Sequence, residues 1–101
     1  MMAIRIELWT DGHLADGTEA WWDGMEAALT NDTSAEYPLL DRVDPYNDVV
    51  FVHGELDGLA SELRTIMVHA HEGVQALVLK LIELCLAGTT ARDAQLKFFG
   101  D

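Results

Sequence analysis

Basic residues are scarce in this sequence: six Lys and Arg stand against eighteen Asp and Glu in 101 residues. The resulting net charge of −12 repels phosphate backbones and anionic membrane surfaces, so nucleic acid and membranes are not expected as partners. Cysteine occurs once, at Cys85, which excludes an internal disulfide and suits a reducing compartment. Long apolar runs are missing. The most apolar segment, residues 74–87, contains Lys80 and Glu83 and falls short of the about 20 apolar residues that cross a bilayer. No apolar stretch follows a basic patch at Met1–Ile6, so no signal peptide is expected and the cytoplasm is the expected address. A phosphate-binding glycine loop is also missing, because Gly12, Gly17 and Gly24 lack the following Lys-Ser/Thr that such a loop needs. Ser34 and Ser61 stand outside any Gly-x-Ser-x-Gly setting, which removes the hydrolase elbow.

What remains is the composition of one ordinary globular domain, 50% apolar and 24% charged. A chain of this length buries roughly two-thirds of its unfolded surface without a disulfide or metal staple. Ile4, Ile6 and Leu8 alternate with Arg5, Glu7 and Trp9, the period of a half-buried strand, and Asp11-Gly12 ends it as a turn. Asp16-Gly17-Thr18-Glu19 has the form of a capping box. The helix expected after it runs to about Thr30, with Trp21, Trp22, Met25, Ala28 and Leu29 on one face. Residues 39–43 are expected as a short strand and residues 48–52 as a second, joined by a turn at Asp44-Pro45-Tyr46-Asn47 with Asp and Pro in type I positions. Helical spacing covers residues 55–69 and again 71–87, with Gly88 as a stop. Leu79 and Leu86 fall off the second stripe and point either to deeper burial or to an oligomer contact. Gln95–Phe99 closes the chain as a strand that could pair with the first. The expected fold is α+β, one domain over residues 1–101, in the order β-α-β-β-α-α-β, with helices packed on one face of a small, mostly antiparallel sheet.

The negative charge is concentrated. Between Glu7 and Glu62 fourteen acidic residues face one basic residue, Arg42, a net of −13; the remainder has four acidic and five basic residues, a net of +1. Such a field attracts a basic partner, although acidity also serves simple solubility. Among the aromatic residues Trp9, Trp21, Trp22 and Tyr46, the adjacent tryptophans lie about 100° apart on a helix, so one is expected at an exposed edge where it anchors contacts. The candidate interaction surface is therefore Trp21, Trp22, Asp23, Glu26, Asp41, Asp44, Tyr46 and Asp48. Asp11, Asp44 and Asp48 also fit a purely local role as turn formers. His53, His69 and His71, with carboxylates such as Asp11 or Asp48, form the alternative candidate for a metal site, which requires three or four converging ligands. No catalytic residue, metal ligand or cofactor is assigned. Cys85 lies on an apolar helix face and is expected to be an inert thiol.

The run Pro38-Leu39-Leu40-Asp41-Arg42-Val43-Asp44-Pro45-Tyr46-Asn47-Asp48-Val49-Val50-Phe51, followed by a leucine-rich helical region and a terminal Lys97-Phe98-Phe99-Gly100-Asp101, resembles a set of small uncharacterised bacterial proteins, many of them actinobacterial. These carry an Ile-Asp-Pro-Tyr-Gly-Asp turn and an aromatic-Ile-Gly-Asp ending. Val43, Asn47 and Phe99 depart from that pattern here. The resemblance implies a stand-alone domain ending at its last strand, and no activity. The expected function is a non-enzymatic acidic protein-binding module, in its concrete form an immunity-like or antitoxin-like inhibitor of a basic partner. The alternatives are a small metal-dependent enzyme using His53, His69 or His71, and a homodimer formed through Leu79 and Leu86.

Overall fold

A computed structural model describes residues 3–21, 37–44, 46–68, 70 and 72–100. Among them the chain forms strands β1 (Ala3–Thr10), β2 (His13–Trp21), β3 (Val49–Val52) and β4 (Gln95–Phe99), and helices α1 (His53–Met67) and α2 (Glu72–Gly88). The four strands make one antiparallel sheet in the order β2-β1-β4-β3, with the helices on one face. The α+β class and the closing strand match the sequence reading, and the pairing of β4 with β1 places the first and last strands side by side in the sheet centre.

The first expected helix is corrected over residues 16–21, which belong to β2. Asp11 and Gly12 both take positive φ, 54° and 75°, the backbone of a type I′ turn, and Thr10 pairs directly with His13. That turn matches the right-handed twist of two strands and sends the chain straight back along β1. Asp16 therefore pairs with Leu8 across the ladder instead of capping a helix. Its side chain points to the helix side and meets Lys80 of α2 at 2.8 Å. The amphipathic helix expected over residues 22–30 lies outside the described residues. Ala15 is an extra residue in the ladder, a bulge between the Leu8–Asp16 and Trp9–Leu14 pairs. A bulge and an inward-pointing charge are features that discourage strand addition at a sheet edge.

The expected strand at residues 39–43 is instead a 3-10 turn, Leu40–Arg42. It sets Leu40 and Val43 into the core beside Tyr37. The Glu62 carboxylate on α1 explains the change: it accepts the backbone N–H of Leu40 at 2.9 Å and that of Leu39 at 3.2 Å. Those donors are thus turned toward α1 and away from any ladder. Arg42 at the end of the turn reaches the edge strand β3. It donates to the Val50 carbonyl at 3.2 Å, pairs with Glu55, and lies 4.7 Å over the Phe51 ring.

The core lies between sheet and helices. Ile4, Ile6 and Leu8 of β1, Phe51 of β3, and Leu96 and Phe98 of β4 face Leu56, Leu59, Leu63 and Ile66 of α1 and Val78, Leu81, Leu84 and Cys85 of α2. Phe51 and Phe98 meet edge to face, centroids 5.5 Å apart, the arrangement that ring quadrupoles favour. Burial pushes the Cys85 thiol up to about 12, so it stays protonated at neutral pH, in agreement with the inert thiol expected. Among the described residues no helix is long and apolar enough to cross a membrane.

Candidate functional site: the sheet face opposite the helices

Period-two alternation gives this sheet a second face, opposite the helices, and the strand register lays it out as a grid. Read from β2 to β3, the first row is Glu19, Arg5, Phe99 and then Asp48, the residue preceding β3. The second row is Gly17, Glu7, Lys97 and Val50. The third is Leu14, Trp9, Gln95 and Val52. The face is therefore graded, with an acid-rimmed end, a charge-balanced middle and an uncharged end.

The central columns are held by contacts between neighbours. Glu7 bridges two of them: Oε2 pairs with Arg5 Nε at 2.8 Å and Oε1 accepts Trp9 Nε1–H at 2.9 Å. The Arg5 guanidinium lies 4.7 Å over the Phe99 ring, and Lys97 Nζ lies 4.8 Å from the Trp9 ring centroid. Both cations thus sit on aromatic faces, where the ring quadrupole attracts them. In the outer columns Leu14 is 54% and Val52 49% exposed.

At the acid-rimmed end an open cleft of about 380 Å³ lies between Glu19 and Asp48, over Arg5, Phe99 and Gly100. The turn of residues 44–47 stands beside it. Asp44 shapes this turn: Oδ1 accepts the Tyr46 N–H at 2.8 Å and Oδ2 accepts the Asn47 side-chain N–H at 2.7 Å. These two bonds, the Tyr46 one foremost, hold the Asp44 carboxyl below its ordinary value of 3.8. Asp48 Oδ1 accepts the Gly100 N–H at 3.2 Å. A side chain on Gly100 would lie 2.5 Å from Asn47 N and 2.7 Å from Asn47 O, so only glycine fits under the turn. Asp48 and Gly100, 52 residues apart in sequence, thus tie the residues around Tyr46 and Asn47 to the end of β4.

Of the surface expected from sequence, Asp41, Tyr46 and Asp48 are exposed, Tyr46 by 67%, and of these three Asp48 lines the cleft. Asp44 is half-buried and occupied with the turn. The Trp21 backbone pairs with Ala3 at the same end of the sheet. Trp22, Asp23 and Glu26 lie outside the described residues. Sequence reasoning missed Arg5, Glu19, Lys97 and Phe99 as members of one surface. The alternation in β1 and β4 already turns Arg5 and Lys97 away from the core, but does not say which strands stand next to each other, and Glu19 is read from sequence as part of a helix cap.

The metal alternative finds no assembled site among the described residues. His53 Nδ1 lies 3.3 Å from the Gly88 carbonyl, His69 and His71 lie outside the described residues, and no three His, Cys, Asp or Glu side chains converge. Cavities elsewhere do not add chemistry. One of about 390 Å³ lies against Gly54 and Arg92, where Glu55 already reaches back to the Val52 N–H at 3.0 Å. That bond, with Arg42 beside it, holds the Glu55 carboxyl below its ordinary value of 4.5. Comparison with protein families, with curated proteins and with solved structures finds no match for the chain.

Proposed function

We propose that this chain is a non-enzymatic binding module that takes a basic protein segment at the acid-rimmed end of its sheet. The observation that carries the reading is the pair of exposed carboxylates Glu19 and Asp48 on the two walls of an open cleft whose own cation is already engaged. Arg5 is paired with Glu7 and stacked on Phe99, so it does little to neutralise the rim. An incoming Lys or Arg side chain meets carboxylates on both walls. An immunity-like or antitoxin-like inhibitor of a basic partner is the concrete form, acting in a reducing compartment such as the cytoplasm. The net charge of −12 speeds the capture of such a partner at low ionic strength.

The test separates the site from the bulk charge. Two variants of equal net charge are immobilised: Glu19→Gln with Asp48→Asn at the proposed rim, and Glu72→Gln with Glu83→Gln on α2. Basic proteins retained by the wild type at about 50 mM NaCl should be released at about 300 mM, because the attraction is screened. The rim variant should lose them and the helix variant should keep them. Equal retention by both variants would refute a localised site.

A further inference from the structure

The graded face carries a second pattern, one of self-complementarity. Its three complete rows contain Arg5 and Lys97 against Glu7, Glu19 and Asp48, close to balance in a chain of −12. We infer that two copies of this chain stack face to face through it, with the helices outward.

The register fixes how. Sheets pack about 10 Å apart with their strands nearly aligned. A twofold axis running parallel to the strands, midway between β1 and β4, lays β1 over the second copy's β4 and β2 over its β3. In the middle row Glu7 then faces Lys97 of the second copy, twice by symmetry. In the uncharged row Leu14 faces Val52 of the second copy and Trp9 faces its Gln95. In the first row Arg5 faces the Phe99 ring of the second copy. Like charges meet only at the corners, Glu19 against Asp48, at the solvent rim. A twofold axis across the strands would instead set Glu7 on Glu7 and Lys97 on Lys97, so the charges select the first arrangement.

The size is sufficient for a reversible contact. Three rows by four strands span roughly 20 Å by 19 Å at about 3.4 Å per residue and 4.8 Å per strand. Covering this face in both copies removes about 760 Å² of flat area, and somewhat more with side-chain relief, the size of a weak, transient contact. The contact is independent of the basic-partner reading and competes with it for the cleft. The two respond to salt in opposite directions: screening weakens capture of a cation but relieves repulsion between two chains of −12.

Sedimentation equilibrium of the full chain tests the stack. Dimer should be favoured on raising NaCl from about 50 mM to about 500 mM. Leu14→Lys should weaken it at least about tenfold, because an ammonium is buried against Val52 without a partner. Leu14→Lys with Val52→Glu should restore it. Within one chain these two positions stand three strands apart, about 14 Å, so the rescue reads a contact between copies and not an internal ion pair. Circular dichroism melts confirm that each variant is folded, which both exposed outer-strand positions allow. A monomer at every salt concentration, an unaffected Leu14→Lys dimer, or failure of the double variant to recover would each overturn the proposal. So would loss of the dimer on Leu79→Glu, which would place the contact on the exposed apolar side of α2 instead.

Discussion

Removing the Glu62 carboxylate tests how the 37–43 segment is held. Oε1 takes the Leu40 N–H at 2.9 Å, and both oxygens share the Leu39 N–H at 3.2 Å. A hydrogen bond to a charged acceptor contributes about 1.5–3 kcal/mol. The first bond has good geometry; the second is divided between two oxygens; and Glu62 is only half-buried, which places the pair near the lower end. Glu62→Ala should therefore destabilise the fold by about 2 kcal/mol. For a chain of this size that lowers Tm by roughly 8–16 °C. Glu62→Gln keeps one oxygen and should lose about half as much. Asp57→Ala on the same helix, exposed, removes the same charge and should change stability by less than about 0.5 kcal/mol. Urea unfolding followed by circular dichroism measures all three. If Glu62→Ala were no worse than Asp57→Ala, the carboxylate would not be what turns this segment away from the sheet.

Gly100→Ala forces a methyl against the Asn47 backbone at 2.5 Å and 2.7 Å, and backbone cannot give way as a side-chain tip does. It should cost about 1–3 kcal/mol in urea titrations. The Cys85 thiol, buried and pushed up to about 12, should resist iodoacetamide at pH 8 in the native protein and react once urea unfolds it; rapid native labelling would contradict the burial. Asp44 is held below its ordinary value of 3.8, so its ionised form adds stability above that pH, and the gain disappears as the pH falls through the lower folded value. Asp44→Asn should accordingly be less stable than wild type at pH 6, and the gap should close below pH 3.8; a gap independent of pH would contradict the sign.

The elements legible from sequence were those that face two environments at once. β1 and β4 alternate cleanly because one side meets the helices and the other meets solvent. α1 and α2 show helical stripes for the same reason. β2 failed that test: its core-side positions include Asp16 and Thr18, and its outer positions include Leu14 and Gly17, so polarity does not alternate along it. The Asp-Gly turn was its real signal. The 3-10 turn was hidden because its cause, Glu62, lies more than 20 residues away. The candidate surface was half legible for the same reason. Asp41, Tyr46 and Asp48 announce themselves as turn residues, whereas Arg5, Phe99 and Glu19 become neighbours only through a long-range strand order that no local pattern encodes.

Arg42 on the Val50 carbonyl, and the bulge with the inward Asp16 on the opposite flank, have a consequence for what this protein becomes at high concentration. A sheet that can add strands at its flanks grows without limit, toward fibres. Here lateral growth is obstructed on both sides, and the proposed face-to-face stack would occupy the remaining sheet surface. Crowding should therefore yield a finite particle with a fixed number of copies, in place of an open-ended polymer.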